Sequence, residues 1–364
     1  DINVDKLLLM MNEQSISFSD LRNALVSLKG KRIHVIGDTI VDSYTRTNLI
    51  GGQTKTPTFS VLYQAKDNYI GGAGIVAQHL KAAGAEVIFS TVLGNDELKD
   101  FVTDGLNESQ IECNIIIDNT RPTTNKNTII AGGYRLLKID NLENRSISEN
   151  IVEKLSTAIS KTKCDAVVFS DFRHGIFNRL TIPEFANAIA KNVYRVADSQ
   201  VASRWGNITD FNNFNLITPN EREARFALAD QDSTVGNLAG KLTEEANCET
   251  LILKLGERGV FVLTNKNNTE GKNDLYFSID SFANHVVDAV GAGDALLAYS
   301  TLSMLATKSP FISAILGSMA AAKECECDGN VVLGCGCGEA GPSGCDNACG
   351  STAEFDECGV CGGA

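Results

Sequence analysis

The segment Asp288-Ala-Val-Gly-Ala-Gly-Asp294 lies at the start of an apolar helical stretch, residues 292–306, and decides how this sequence is interpreted. Unpaired backbone N–H groups and the helix dipole favour an anion at a helix N-terminus. We therefore predict that Gly291, Ala292 and Gly293 hold a transferring phosphoryl group, and that Asp294 accepts the proton of an attacking hydroxyl. A glycine-rich turn with an aspartate cap is the alternative, and this segment alone does not separate the two.

Two glycine-containing motifs lie upstream. Gly71-Gly72-Ala-Gly74 opens a predicted helix, where small residues permit either close approach to a ligand or tight packing of the helix on a sheet. Leu253-Lys254-Leu-Gly256-Glu-Arg-Gly259 has the pattern of a strand, a turn and a second strand. It is interpreted either as the edge of a nucleotide site or as a plain hairpin.

Thr218-Pro-Asn220-Glu-Arg-Glu223 follows a short apolar strand and begins a helix, which places Asn220 and Glu223 one turn apart. Oxygen ligands at this spacing suit a hydrated magnesium ion, which keeps several of its waters. The same residues also fit a helix N-cap with its capping-box glutamate. Both interpretations remain open from the sequence.

Apolar runs alternate with amphipathic stretches along the chain. We predict strands at 32–36, 86–93, 165–170, 215–218 and 250–255, and helices at 73–83, 148–161, 220–229 and 292–306. This alternation predicts an α/β layered domain with a mostly parallel sheet. Residues 54–69 instead alternate apolar and polar side chains with a period of two, which indicates exposed antiparallel strands in a flap.

Composition excludes several classes of protein. With 364 residues, 43% of them hydrophobic, the chain is long and apolar enough for a large core. A net charge of −13 disfavours an extended basic surface for nucleic acid or anionic lipid. No apolar run is long enough for a membrane span. Neither a P-loop motif nor a complete GxGxxG is present, and the four histidines lack metal-ligand spacing.

The order and spacing of the motifs resemble the ribokinase-like (PfkB) superfamily of carbohydrate kinases over residues 31–332. Asp38 after the first strand, Gly71-Gly72, Asn220-x-x-Glu223, Lys254-x-Gly256-x-x-Gly259 and Gly291-Ala-Gly-Asp294 follow that superfamily's order. Within it, the chain is most similar to the sugar kinase part of bifunctional heptose-phosphate kinase/nucleotidyltransferases. Val35–Tyr44, Tyr134–Asp140, Ser170-Asp171 and the long flap between Asn48 and Tyr69 support this closer match.

The resemblance implies a three-layer α/β/α fold with a mostly parallel central sheet and a small β-lid at about 48–70. It also implies ATP- and Mg²⁺-dependent phosphorylation of a sugar hydroxyl. Asp294 would be the catalytic base, with Gly291, Ala292 and Gly293 as the anion hole. The residues on the sugar side would be Asp38, Asp42, Gly71, Gly72 and Asp171. The residues on the ATP side would be Asn220, Lys254, Gly256, Gly259 and Asp288. Asn220 and Glu223 would also hold Mg²⁺ through water. Arg135, Lys138 and Asp140 are candidates for holding a phosphate already on the sugar, because two cations near one pocket suit a dianion.

Two positions depart from the superfamily's pattern. Ala289 lacks the hydroxyl usual there or at a neighbouring position, and Ile75 replaces an asparagine that hydrogen-bonds the sugar. The identity of the sugar therefore stays open, although the base and the anion hole are intact.

Three segments of different character make up the predicted organisation. Residues 1–30 are interpreted as a helical lead-in capped by Ser19, and as the end of an upstream domain; residues 31–332 form the kinase domain. Residues 333–364 contain six cysteines, nine glycines and no lysine or arginine, and do not resemble the kinase. We interpret this tail first as an appended segment without a catalytic role, next as a disulfide-linked module, and last as a zinc site.

The resemblance implies a sugar-phosphate kinase acting on D-glycero-D-manno-heptose 7-phosphate at O1, in nucleotide-heptose synthesis, and we expect it to be cytoplasmic. We expect a homodimer formed through the lid, and no nucleic-acid or membrane partner. One alternative is a kinase of the same superfamily for another sugar or a nucleoside. The other is a catalytically weak sugar-binding or scaffold module.

Overall fold

A computed structural model describes residues 2–52, 58–200, 207–265, 275–283, 290–326, 342–343 and 348–349. The helices are α1 (Ile2–Glu13), α2 (Phe18–Ser27), α3 (Ala73–Ala82), α4 (Glu97–Glu108), α5 (Glu149–Lys161), α6 (Thr181–Ala188), α7 (Glu221–Leu228), α8 (Val235–Ala246), α9 (Ala292–Thr307) and α10 (Pro310–Glu326). The strands are β1 (Arg32–Gly37), β2 (Thr39–Gly52), β3 (Phe59–Gly72), β4 (Glu86–Leu93), β5 (Glu112–Ile117), β6 (Asn125–Ala131), β7 (Tyr134–Asn141), β8 (Ala166–Asp171), β9 (Tyr194–Ser199), β10 (Leu216–Ile217), β11 (Thr250–Lys254), β12 (Val260–Thr264), β13 (Leu275–Ile279), β14 (Pro342–Ser343) and β15 (Ala348–Cys349).

The central sheet has nine strands in the order β13-β12-β11-β10-β9-β8-β1-β4-β5. Neighbouring strands from β5 to β11 run parallel, and β12 and β13 add an antiparallel edge. Every residue of β8 is buried, as is typical of an interior parallel strand covered on both faces. The prediction of a mostly parallel sheet is therefore confirmed.

Each face of this sheet packs against a separate layer of helices. In β8, Ala166 and Val168 contact the apolar cluster formed with α1 to α4, α9 and α10. Val167 and Phe169 point to the other face, where α5 to α8 supply the apolar side chains. Because successive residues of a strand face opposite sides, one continuous apolar run supports both layers. The predicted three-layer α/β/α arrangement is confirmed.

A second sheet of four strands, in the order β3-β2-β6-β7, forms the lid. It extends well beyond the flap of residues 48–70, because β2 and β3 are long strands and β6 and β7 also belong to it. β6 runs parallel to β2, from Val41 opposite Asn125 to Thr47 opposite Ala131. Local sequence patterns do not reveal a pairing between segments so far apart in the chain.

The lead-in differs from its prediction at the helix cap. Ser17, not Ser19, caps α2: its side chain accepts from the backbone N–H of Asp20, whose carboxylate accepts from the Ser17 N–H at 2.8 Å. A capping box requires a side-chain acceptor three residues after the cap. Ser19 has Arg22 at that position, whereas Ser17 has Asp20.

The predicted tail at 333–364 lies outside the described residues, apart from β14 and β15, which pair antiparallel. Within the described part of the chain, none of the helices combines the length and hydropathy that a bilayer crossing requires.

Candidate active site

The parallel strands place a set of polar residues at one edge of the central sheet. Carboxyl ends of parallel strands lie at the same edge, which is where open α/β sheets bind ligands. A cavity of about 1190 Å³ opens there and is lined by the lid, by α3 and by the first turns of α7 and α9. Most of the predicted site residues line it: Asp42, Gly71, Gly72, Arg135, Lys138, Asn220, Glu223, Lys254, Gly256, Gly259, Gly291, Ala292, Gly293 and Asp294.

The start of α9 has the geometry expected of an anion hole. Gly291 adopts φ +85°, a left-handed conformation that favours glycine, and its carbonyl accepts the N–H of Ala295. The N–H groups of the first turn have no partner within the helix. A Cβ atom added at Gly293 would lie 3.3 Å from Nζ of Lys254, so glycine lets this ammonium group approach the helix start.

Asp294 is buried at this helix start among other carboxylates. Burial raises its pKa to about 7, and the negative charges of Asp198, Glu223 and Glu324 act in the same direction. The Lys254 ammonium group opposes the shift but does not cancel it. Asp294 is therefore poised to exchange a proton near neutral pH.

Lys254 supplies positive charge near the start of α9, the part of the cavity that we call the floor. Its Nζ donates to Oδ1 of Asp198 at 2.9 Å. Burial alone would lower the pKa of Lys254, but the carboxylates of Asp198, Glu223 and Asp294 outweigh burial and raise it. The ammonium group therefore stays protonated beside the start of α9.

Asn220 and Glu223 form the capping box that was one of the two interpretations. Oδ1 of Asn220 accepts the N–H of Glu223 at 2.8 Å, and Oε2 of Glu223 accepts the N–H of Asn220 at 2.7 Å. Both residues also line the cavity, so capping does not exclude a role toward a ligand.

A magnesium ion fits this floor through water. The described residues contain no group of three or more His, Cys, Asp or Glu side chains able to ligate a metal directly. Asn220 and Glu223 nevertheless line the cavity, and around Asp294 the carboxylates exceed the single lysine in charge. Such a donor set suits a hydrated hard cation.

The segment containing Gly256 and Gly259 is a hairpin between β11 and β12, and it also lines the cavity. Gly256 and Gly259 adopt φ +62° and +83°, and a Cβ atom at Gly259 would collide with the carbonyl oxygen of Ile279. The prediction for Asp288 lies outside the described residues, as does Ala289.

On the lid side, Gly71 lets the Asp42 carboxylate lie close to the backbone of β3. A Cβ atom at Gly71 would collide with Oδ2 of Asp42, and Gly72 adopts φ +60° where β3 turns into α3. Burial raises the pKa of Asp42, and Lys126 and Lys138 oppose that shift. Ile75, the departure noted in the sequence, also lines this side.

Three predicted residues do not line the cavity. Oδ2 of Asp38 accepts the N–H groups of Phe172 and His174, at 3.0 and 3.2 Å. Asp171 is ion-paired with Arg173 and accepts the hydroxyl of Ser199. Both carboxylates thus anchor the chain that follows β8. The third residue, Asp140, is exposed on β7.

Lys126 is a cavity residue that the sequence patterns did not reveal. It lies opposite Asp42 on β2 and opposite Asp140 on β7, so the three form a row of alternating charge across the lid. Two residues further along, Tyr44 and Lys138 both lie opposite Thr128, and residues two apart share a face. This alignment of charged side chains follows from the register of β6 with β2 and β7, which short sequence patterns do not reveal. Other lining residues, none of them predicted as site residues, are Tyr44, Arg46, Tyr69, Glu257 and Glu324.

Comparison with known proteins agrees with this architecture. The sequence model described as pfkB family carbohydrate kinase matches residues 31–331. The chain is 29% identical over 297 residues to Bifunctional protein HldE of Sulfurimonas denitrificans, covering 80% of this chain and 60% of that protein. It is 26% identical over 306 residues to Bifunctional protein HldE of Helicobacter hepaticus, covering 81% and 60%. The chain therefore spans about three fifths of the length of these curated relatives.

Solved structures share the fold. Phosphofructokinase-2 from Escherichia coli in complex with fructose-6-phosphate superposes with a TM-score of 0.65 at 14% identity, covering 81% of this chain and 94% of that one. Ribokinase from Thermotoga maritima superposes with a TM-score of 0.61 at 21% identity, covering 81% and 93%.

The raised pKa of Asp294 predicts a pH-dependent cost to stability. The unfolded carboxyl ionises near its ordinary value of 3.8, whereas the folded one holds its proton to about pH 7. Stability is therefore lost as the pH rises through this window, and the full loss is present at pH 8. We expect Asp294→Asn to raise the melting temperature at pH 8, and to raise it less at pH 5.

Thermal melts of both proteins at the two pH values measure this difference. Asp104→Asn, at an exposed position on α4, is the control and should show no pH-dependent gain. An Asp294→Asn melting temperature at or below that of the wild type at pH 8 would contradict the buried, destabilising carboxylate.

Proposed function

The chain belongs to the pfkB family of carbohydrate kinases, and we propose that it transfers the γ-phosphoryl group of ATP to O1 of D-glycero-D-manno-heptose 7-phosphate. Members of this family are phosphotransferases with an alcohol acceptor. The observation that supports this activity best is the buried Asp294 beside Gly291 and Gly293, at the floor of the cavity of about 1190 Å³.

Asp294 would act as the general base. A catalytic base works best when its pKa lies near the operating pH, and the pKa of Asp294 is about 7. Its carboxylate would take the proton of the sugar hydroxyl as that oxygen attacks the γ-phosphorus. The proton then remains on Asp294 until the product leaves.

The start of α9 would stabilise the charge of the transferring group. Phosphoryl transfer leaves little covalent work for the protein, so positioning and electrostatic stabilisation dominate. The N–H groups of Ala292 and Gly293 would donate to the phosphoryl oxygens, and the Lys254 ammonium group beside Gly293 would supply positive charge. Gly256 and Gly259 would border the nucleotide.

Magnesium would be held at the same floor by Asn220 and Glu223 through water. When bound with ATP it supplies positive charge that offsets the phosphate oxygens. Without such a cation, the carboxylates of Asp198, Glu223 and Glu324 would repel the nucleotide from the anion hole.

The lid face supports a substrate that already carries a phosphate. Lys126, Arg135 and Lys138 all line the lid side of the cavity, and a dianion suits such a group of cations. Asp42 lies opposite Lys126 and would accept a hydrogen bond from a sugar hydroxyl. The choice of a heptose phosphate rests on the motif resemblance set out for Val35–Tyr44 and Tyr134–Asp140.

A second candidate is a kinase for a different, unphosphorylated sugar. Ile75 lines the cavity and cannot hydrogen-bond a sugar hydroxyl. Asp42 and Asp140, on either side of Lys126, also offset its positive charge, which weakens the attraction of this row for an anion. Both observations favour a substrate that differs from the usual heptose phosphate.

We also infer a homodimer formed through the lid, in the cytoplasm. Exposed apolar side chains on the lid support the first inference: Phe59, Leu62, Tyr63, Tyr134, Leu136, Leu137 and Ile139. The free thiols of Cys113, Cys164 and Cys248 fit a reducing compartment, where ATP and sugar phosphates are available.

Removal of the base should lower turnover much more than sugar affinity. We expect Asp294→Asn to reduce kcat by at least about 100-fold, because proton acceptance is lost while the cavity keeps its shape. ADP production with heptose 7-phosphate and with free sugars measures this effect and identifies the substrate. Asp104→Asn, at an exposed position on α4 outside the cavity lining, serves as the control. An Asp294→Asn enzyme that keeps most of its turnover would refute the base assignment.

Removal of a lid cation should weaken binding of the phosphorylated sugar selectively. We expect Lys138→Gln to raise KM for a sugar phosphate at least about tenfold, the order of one charge-assisted hydrogen bond, and to leave KM for ATP within about twofold. Lys66→Gln is the matched control, because Lys66 lies opposite Thr45 and so faces away from the row of Tyr44 and Lys138. Equal effects of the two substitutions would argue against a phosphate site on the lid.

A further inference from the structure

A second cavity, of about 640 Å³, lies at the opposite edge of the central sheet from the active site. Its lining includes Lys31, just before β1, and Asp165, just before β8. It also includes Tyr194 and Arg195, which begin β9. These are the amino ends of parallel strands, whereas the active site occupies their carboxyl ends. We call this cavity the basic pocket.

The basic pocket concentrates positive charge in an acidic chain. Lys31, Lys191, Arg195 and Lys308 line it, and Asp165 is the one carboxylate among the lining residues that the structure describes. Oδ2 of Asp165 accepts the backbone N–H of Arg32 at 2.8 Å, so this carboxylate is hydrogen-bonded to the start of β1. Cations that line a concave wall focus the potential and raise the local concentration of anions.

The surrounding structure positions the Lys308 ammonium group and the backbone that carries Arg195. Lys308 ends α9 in a left-handed conformation, with φ +56°, and its Nζ lies 5.7 Å from the centre of the Tyr194 ring. The backbone N–H of Arg195 donates to Oδ1 of Asn215 at 2.7 Å. Asn215 also lines the pocket, so charged and amide groups converge on one space.

We propose that the basic pocket binds a small phosphorylated molecule. Its volume falls within the range of small-molecule sites. Lysine ammonium groups on flexible stems act as point charges that suit phosphate oxygens. Few apolar side chains line the pocket, Val193 and Leu305 among them, which disfavours an apolar ligand.

The basic pocket is separate from the active site. Leu305 and Lys308 line it at the C-terminal end of α9, and Asp294 lines the active site at the other end. A helix of 16 residues is about 24 Å long. One phosphorylated molecule therefore cannot fill both cavities, and the proposal does not depend on the reaction assigned to Asp294.

Calorimetric titration of the full chain with inorganic pyrophosphate, without Mg²⁺ and at low salt, tests the proposal. We expect saturable binding that weakens at least tenfold in Lys191→Gln/Lys308→Gln. The matched control is Lys161→Gln/Lys163→Gln, which removes two exposed lysines outside the pocket lining; its affinity should stay within about twofold of the wild type. Circular dichroism verifies the fold of each variant.

Three outcomes would overturn the proposal. Pyrophosphate affinity unchanged in the pocket variant, but lost in Lys254→Gln, would place the probe in the active site. Equal losses in the pocket variant and its control would indicate unspecific attraction by surface charge. A single-stranded oligonucleotide that binds more tightly than pyrophosphate, and is released by the same pocket substitutions, would identify an extended polyanion as the ligand.

Discussion

Three buried carboxylates and one ammonium group share the floor of the active site. Asp198, Glu223 and Asp294 come from the end of β9, the first turn of α7 and the first turn of α9, and Lys254 ends β11. Burial raises the pKa of Asp294, and this excess of acid adds to the shift because buried like charges disfavour simultaneous ionisation, so Asp294 keeps its proton to about pH 7. The same excess leaves room for a cation. The clustered carboxylates thus add to the base strength of Asp294 and would favour a cation, and both effects depend on the parallel sheet that brings these elements together.

The lid and the floor have different electrostatic character. Lys126, Arg135 and Lys138 line the lid side, whereas carboxylates dominate the floor around Asp294. Under the proposed function, a sugar with a phosphate at one end would place that phosphate against the lid and its free hydroxyl against the base. Such a charge gradient would orient the substrate before any chemistry occurs, which is where most of the advantage in phosphoryl transfer arises.

Features encoded in short continuous segments were predictable from the sequence. Gly291 to Asp294, Asn220 with Glu223, and the hairpin around Gly256 depend on local capping, turn and glycine chemistry, and the structure brings them to one cavity. Lys126 was not predictable, because its position depends on the parallel register of β2 with β6. The motifs also did not reveal that Asp38 anchors backbone N–H groups of the loop after β8, since a strand-end aspartate looks the same in either role.

The ionisation of Asp294 is the property on which the catalytic interpretation depends most directly. A carboxyl-detected NMR titration of the full chain, with Asp294→Asn used to assign the resonance, measures it without substrate. We expect the Asp294 carboxyl to titrate near pH 7, well above its ordinary value of 3.8. A midpoint close to that ordinary value would mean that the carboxylate is neither desolvated nor crowded by its neighbours, and would contradict the assignment of Asp294 as a base tuned by burial and charge.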